Sequence, residues 1–392
     1  MKTIGLFAGI GGIESGFHSH KANTIMLCEI MPEAQSVLSS QFSSVKIESD
    51  VCALTHIPKT DILCAGFPCQ NISIAGDKKG MQGAQSSLVT EIFRLIRINP
   101  PKSIIIENVA NIISLHGGEI LQYVTSELNS LGYNWSYRLI DPRSFGIPQR
   151  RPRFVLVASK EFSTKGILFS DNEDVNASID EKPTDAILHS NSVSAYGFYW
   201  TEGKIGIGWA KDSIPPLKCG SSLGLPSAPA IWDINNNIFG CPSLNDAERL
   251  QGFPIDWTRP IEDAGFKKSM RWKVLGNAVN VSVSEWVASR IMDTSIKASP
   301  TIQCEPKKRK KWVKAAYQDV GDVIFNVNVS PYPNGVNYTP ILDFLNDPLT
   351  PLSLKATLGF LKRVQDSTLI KYPTRFIESI KIYLKNQYGY TV

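Results

Sequence analysis

Cys69 sits in the pentapeptide Gly66-Phe67-Pro68-Cys69-Gln70, directly after an apolar run, 61–65, that reads as a buried strand. Open α/β sheets gather their chemistry outside the carboxyl ends of their strands, so a thiol delivered there by a tight Pro-containing turn is placed to react. Thiolate is the strongest nucleophile among the ordinary side chains, and it can add to an electron-poor ring carbon. A single loop cysteine is usually inert, so the reading depends on its company. Glu107 ends the β-branched run Ile104-Ile105-Ile106, the pattern of a strand buried on both faces. A carboxylate there is unfavourable to bury without a partner or a task. Gln149-Arg150-Arg151-Pro152-Arg153 precedes another expected strand, 154–158. Its alternate arginines, Arg151 and Arg153, point to one face, where they can meet a carboxylate, a phosphate or a base edge. Taken alone, an arginine pair is an ordinary solvated surface feature.

A second set of residues reads as a cofactor rim. Phe7-Ala8-Gly9-Ile10-Gly11-Gly12 follows the apolar run 4–7, so a strand ends in a glycine cluster that opens a helix. Glycines let the backbone approach a ligand, and the helix start offers unpaired N–H groups. The spacing does not match the dinucleotide pattern G-x-G-x-x-G. The next expected strand, 24–28, ends in Glu29, an acid suited to two hydrogen bonds from ribose hydroxyls. Asp50 closes a third short β segment and brings a second carboxylate to the same rim. Two rim acids suit a ribose and an adenine amino group, and they would repel a pyrophosphate. The pattern therefore points to a nucleoside with a neutral or cationic tail, which S-adenosylmethionine fits.

The order of these motifs closely resembles the DNA cytosine-5 methyltransferases of the bacterial or phage restriction–modification type. F-A-G-I-G-G, Glu29, Asp50, G-F-P-C-Q, E-N-V and Q-R-R-P-R are followed by Glu248-Arg249-Leu250-Gln251-Gly252-Phe253-Pro254 and Gly276-Asn277-Ala278-Val279, all in family order. The resemblance spans about residues 1–292. The last hundred residues resemble only an extension carried by some bacterial members. It implies a doubly wound mixed α/β sheet of the S-adenosylmethionine-dependent, Rossmann-like type, a smaller irregular target-recognition domain and an α-rich C-terminal extension. It implies that Cys69 adds to C6 of cytosine, that Glu107 holds the N3/N4 edge, and that Arg151 and Arg153 hold O2 and orient Glu107. It places Phe7, Gly9, Ile10, Gly12, Glu29, Ile30, Asp50, Val51, Gly66, Pro68, Leu88, Asn277 and Val279 around S-adenosylmethionine, whose product is S-adenosylhomocysteine. Double-stranded DNA is the implied partner, and the target must be flipped out of the stack. Lys78, Lys79 and Gln85 belong to a Gly- and Ala-containing run, 71–87, suited to a loop that closes over DNA, and Gln70 just before it is a further expected DNA contact. Gln85 stands where family members usually carry Arg, which removes a positive charge from that loop. No metal is implied.

The expected division is a catalytic core at 1–158 completed by 272–299, a target-recognition region at 159–271, and a basic linker with extension at 300–392. Alternating strands and helices support the first part. Residues 159–240 are rich in Ser, Asn, Gly and Pro, and carry an acidic stretch, Asp171, Glu173, Asp174, Asp180, Glu181 and Asp185, expected to face solvent. Lys204, Lys211 and Lys218 are weak candidates for reading bases; a solvated lysine is the ordinary alternative. Beyond the linker come a β-like patch, 323–329, and two amphipathic helices with stripes Leu354, Leu358, Leu361 and Phe376, Ile377, Ile380, Tyr383, Leu384.

A net charge of +5 permits nucleic-acid binding without arguing for it. No apolar run approaches a membrane span. Seven cysteines without a C-x-x-C pair point away from a disulfide framework or a zinc site, hence to a reducing cytoplasm. A monomer is expected, with any cognate restriction endonuclease acting in the same system without direct contact. Two other readings stay open: a transfer-RNA cytosine-5 methyltransferase sharing the same core, and a catalytically weakened DNA-binding module. The first usually shows a C-F-T tripeptide that is absent here; an intact Cys69, Glu107, Arg151 and Arg153 set opposes the second.

Overall fold

The computed structural model describes residues 1–68, 88–171, 179, 182–189, 192–220, 229–293, 295–299, 302–307, 311–319 and 323–392. Cys69, Gln70, Lys78, Lys79 and Gln85 therefore lie outside the described residues. The chain divides into two bodies, one of 1–144, 152–175 and 279–335, the other of 145–151, 176–278 and 336–392.

The first body is built on seven strands in chain order: β1 (Lys2–Leu6), β2 (Asn23–Cys28), β3 (Lys46–Glu48), β4 (Ile62–Ala65), β5 (Ser103–Val109), β6 (Asn134–Ile140) and β7 (Arg153–Ser159). They lie in the order β6-β7-β5-β4-β1-β2-β3. The β1, β2, β3, β4 and β5 pairings are parallel. β7 runs antiparallel between β5 and β6. The apolar runs at β4 and β5 are covered on both faces, as expected of a sheet with crossover helices on either side. On one face Ile4 and Leu6 pack with Ile92 and Phe93 of α3 (Leu88–Ile98) and Leu121 of the helix Glu119–Ser130. On the other, the helix Gly12–His18 crosses the helix Val281–Met292 closely. A Cβ on Gly16 would stand 2.5 Å from the main-chain nitrogen of Glu285.

The last hundred residues do not form a body of their own. Strands Ala315–Gln318, Phe325–Val327 and Cys304–Pro306 extend the first sheet antiparallel beyond β6, making it ten-stranded. The β-like patch at 323–329 foretells one of the three. Residues 336–392 join the second body, whose five-stranded sheet includes Ala195–Phe198, Ala210–Lys211, Ala230–Asp233, Ile238–Cys241 and Thr350–Pro351. Helices Leu354–Gln365 and Thr374–Tyr388 lay their apolar stripes on that sheet. Phe360, Phe376 and Tyr383 pack among Phe198, Trp232 and Phe239. The recognition region is thus less irregular than its composition implies: its aromatics are a core.

Of the acids expected to face solvent, Asp171 keeps only 8% of its side chain exposed and Asp185 is half-buried, and both are engaged within the protein. Asp171 forms a bidentate pair with the buried guanidinium of Arg138, at 2.6 and 2.8 Å. Asp185 accepts the main-chain N–H groups of Thr374 and Arg375 at the start of the last helix. Each carboxylate serves a donor distant in sequence, which composition cannot reveal. Among the described residues, no helix is long and apolar enough to cross a membrane.

Candidate active site

Three strand ends converge in the first body. Gly66 follows β4, Phe7 follows β1, and Glu107 lies near the end of β5. A Cβ on Gly66 would lie 3.7 Å from Glu107 Oε2, 3.8 Å from the Phe7 carbonyl and 3.9 Å from Val279 Cγ2. Four segments distant in sequence therefore meet at the carboxyl edge of the parallel strands, where this class of sheet places its ligands. The turn that leads to Cys69 is fixed from β5. Asn108, nearly fully buried, donates from Nδ2 to the Phe67 carbonyl at 2.9 Å, while its Oδ1 accepts the Val109 N–H at 2.8 Å. Asn108 is a residue to which sequence reasoning gave no role. Its place in E-N-V, beside an acid at a strand end, was the available signal.

Arg153 opens β7 directly opposite Val109, two residues along β5 from Glu107 and on the same face. That diagonal is within reach of a long side chain. Arg153 Nε lies 3.2 Å from Glu107 Oε1, and both side chains keep about a tenth of their surface exposed, 12% and 11%. A carboxylate held by a guanidinium, with an edge left open, can accept from and orient a planar amidine-like group such as the N3/N4 edge of a cytosine.

Arg151 is a correction to the sequence reading. It lies in the second body, 1% exposed, and donates to the main-chain carbonyls of Leu217 at 2.9 Å, Gly276 at 2.8 Å and Ala278 at 2.9 Å. Gln149 beside it bonds the Leu250 carbonyl and the Leu217 N–H. Residues 149–151 therefore hold together segments of the second body. The Q-R-R part of the motif binds main chain, and the arginine beside Glu107 is Arg153.

The cofactor rim is also assembled in the first body. Glu29 accepts the Gly9 N–H through Oε2 and the Met31 N–H through Oε1, both at 2.8 Å. Its two oxygens tie the glycine loop to the end of β2 and keep lone pairs for further donors. Phe7 and Gly9 both have φ of 57°, and nothing lies within 4 Å of where a Gly9 Cβ would stand. A strained non-glycine residue and open space beside a loop are what a backbone-reading ligand site requires. Asp50 is exposed, and its Oδ1 accepts the Cys52 N–H at 2.9 Å. Ile30 is 68% exposed, an apolar face next to Glu29 on which a purine can lie. These residues fit a nucleoside.

Other cofactor candidates are placed differently. Ile10 and Val51 are core side chains, so any ligand contact they make is through main chain. Gly12 is small for another reason: a Cβ there would stand 2.3 Å from the Val279 carbonyl. Leu88 begins α3 half-buried against the core, and Pro68 is exposed. Asn277 is an exposed residue ending the helix Ser269–Asn277 of the second body.

Among the described thiols, burial pushes Cys28 up to about 12 and Cys64 well above its ordinary value, and it also raises Cys52 and Cys241. None of these four is an activated nucleophile. Glu14 is likewise unusual: burial first, and then the charge of Glu29, raise its carboxyl to about 7 against an opposing main-chain hydrogen bond of its own. Its Oε2 has no hydrogen-bond partner, and Oε1 fills the space that a side chain at Gly5 would take.

Comparison with known proteins places this site. A family model described as C-5 cytosine-specific DNA methylase matches residues 1–195. The chain is 43% identical over 387 residues to the Type II methyltransferase M2.BsuMI of Bacillus subtilis (strain 168), covering 97% of each. It is 36% identical over 159 residues to the Type II methyltransferase M.HhaI of Haemophilus parahaemolyticus, covering 40% of this chain and 48% of that one. Among solved structures, a mutant of Spodoptera frugiperda DNMT2 matches with a TM-score of 0.51 at 13% identity, over 74% of this chain and 99% of that one, a likeness of fold alone. With 43% identity across nearly the whole of both chains, and strand ends that gather Glu107, Arg153 and a nucleoside rim, this chain belongs to the C-5 cytosine-specific DNA methylases: it is an S-adenosylmethionine-dependent DNA cytosine-5 methyltransferase.

Proposed function

We propose that the enzyme methylates C5 of a cytosine flipped out of a specific duplex sequence, through a covalent bond between Cys69 Sγ and C6 of the base. The observation that carries the reading is the junction at β5: Glu107 is paired with Arg153, and the next residue, Asn108, holds the Phe67 carbonyl two residues before Cys69. Catalytic acid and nucleophile-bearing turn are thereby tied to one strand end. S-adenosylmethionine supplies an electrophilic methyl group when bound. Glu29, Ile30 and Asp50 are the groups that would hold its ribose and adenine, with Gly9 and Phe7 presenting main chain.

Cytosine C5 is a poor nucleophile. Attack of the Cys69 thiolate on C6 forms an S–C6 bond and pushes the ring electrons toward C5. Glu107 hydrogen-bonds the N3/N4 edge and favours protonation at N3, which draws density from C6. Arg153 orients Glu107 and stabilises charge that develops on the ring. C5 gains the methyl carbon, a base removes the C5 proton, and the S–C6 electron pair returns to the thiolate as Cys69 leaves. We assign target reading to the second body and double-stranded DNA as the only macromolecule the reaction needs. The enzyme would work as a monomer in the cytoplasm, with a cognate endonuclease acting separately.

The test is a duplex with 5-fluorocytosine at the target. Fluorine in place of the C5 proton stops the elimination and leaves the adduct in place. The native protein is expected to give a DNA-bound band on a denaturing gel, and Cys69→Ala none. A native protein that methylates ordinary DNA yet leaves no such band would refute the covalent step.

A further inference from the structure

The helix Leu354–Gln365 and the segment that follows it do more than cover a sheet: they grip one loop of the second body by its main chain. The loop, 199–208, joins Ala195–Phe198 to Ala210–Lys211. Arg363, on the helix Leu354–Gln365, donates from Nη2 to the Trp200 carbonyl at 2.7 Å and from Nε to the Glu202 carbonyl at 3.0 Å. Tyr372 Oη donates to the Gly203 carbonyl at 2.6 Å, and Ser367 Oγ to the Lys204 carbonyl at 2.8 Å. Four carbonyls within five residues thus meet donors from three C-terminal side chains. The approach is close enough to demand glycine: Gly203 has φ of 153°, and a Cβ on it would stand 2.7 Å from Arg363 Cβ.

The loop is held from its other sides too. Tyr199 donates its N–H to the Ile207 carbonyl at 2.7 Å, and Arg150 Nη2 bonds the Gly208 carbonyl at 3.2 Å. Lys218, one of the lysines considered as a base reader, instead pairs with Glu202 at 3.0 Å and lies over the Tyr199 ring. What the stem leaves open to solvent is the side chains at the tip. Lys204 is exposed, and Ile205 is 73% exposed although Ile207, two residues on, is buried. Main chain bound on both sides thus presents one cation and one large apolar side chain to solvent on a fixed stem.

We infer that residues 203–206 form a base-reading tip for the target duplex, and that Arg363, Ser367 and Tyr372 are positioning residues that set its geometry. The chemistry fits that substrate: lysine meets a base acceptor or a phosphate, and an aliphatic side chain meets a thymine methyl or an opened base step. A rigid stem matters because discrimination needs its groups held to within a fraction of an ångström. The inference gives the C-terminal extension a task in sequence selection, and it rests on the assignment of target reading to the second body.

The test methylates a random-sequence duplex library with full-length enzyme and S-adenosylmethionine, and reads methylated contexts by bisulfite conversion. Lys204→Gln and Ile205→Ala should lower kcat/KM at the parent's preferred site by roughly tenfold and widen the accepted contexts, as loss of one base contact does. Tyr372→Phe and Ser367→Ala each remove one hydrogen bond and keep the packing. They should shift the context profile in the same direction by a smaller factor, with cofactor affinity unchanged and the protein still folded at the assay temperature. Arg363→Gln should shift it more than either. Parental profiles from the tip variants would overturn the reading role. Altered tip variants with parental profiles from Tyr372→Phe, Ser367→Ala and folded Arg363→Gln would overturn the positioning role. A chimera carrying 176–278 and 336–392 of a relative separates the two levels. Retention of the original motif refutes target reading by the second body, whereas a changed motif with inert tip variants refutes this loop alone.

Discussion

Arg153 stands beside Glu107, whereas Arg151 donates to main-chain carbonyls of the second body, and the difference predicts two different failures. Arg153→Ala should cut kcat by at least tenfold through loss of one charge-assisted contact, with little change in melting temperature. Arg151→Ala should behave as a folding defect, because it strips donors from three main-chain carbonyls at a cost of about 1–3 kcal/mol each when buried. Steady-state rates and thermal melts on both variants check this; equal melting temperatures would contradict it. Alternation along the sequence is the reason two arginines were expected on one face. It could not tell that a carbonyl cluster awaits one of them, since those carbonyls come from 217, 276 and 278. Glu14 offers a pH test. Its folded carboxyl, raised from 4.5 to about 7, holds a proton more tightly than in the unfolded chain. Its contribution is therefore complete below the unfolded value and is lost as pH rises through about 7. Glu14→Gln keeps the neutral shape and removes the titration, so its advantage over the parent should grow from about pH 5 to pH 8, reaching on the order of 2–3 kcal/mol. Parallel stability curves across that range would show that Glu14 does not titrate there.

At the level of elements, six of the seven strands were readable because each has a local signal; β6 was not placed from sequence. β-branched runs mark β4 and β5, and the residue after each of β1, β2 and β4 begins a motif. A serine before Leu244 is itself a helix-cap signal, and Ser243 Oγ accepts the Asp246 N–H at 3.0 Å. The strand Ala315–Gln318 was not legible. It is short, follows a lysine-rich run, and exists because β6 offers a free edge nearly two hundred residues earlier. Nor could composition show that residues 336–392 finish another region's core. The apolar stripes of the two final helices were plain, but not what they cover. Truncation before Leu354 should expose Phe198, Trp232 and Phe239, which now pack with Phe360, Phe376 and Tyr383. The expected result is aggregation, or strong binding of an apolar dye, with loss of the second body's cooperative melt. A soluble truncated protein with native near-ultraviolet circular dichroism would contradict the role given to those helices.

For the whole molecule, the two bodies have separate cores, and the proposal divides the labour between them: chemistry at the strand ends of the first, selection by the second. The modest net charge of +5 fits an enzyme that must find and leave many duplex sites rather than hold one. Exchange of 159–271 alone, the boundary that composition invites, would leave a foreign sheet without the helices that complete it. A working exchange must carry 336–392 along. The central claim is that this chain methylates cytosine in duplex DNA at a defined sequence through Cys69. Bisulfite sequencing of genomic DNA from methylation-free cells expressing the full chain tests it most directly. The account predicts protected cytosines at one recurring motif, and none in cells expressing Cys69→Ala at equal protein levels. Random protection, or the same motif protected by both proteins, would contradict it.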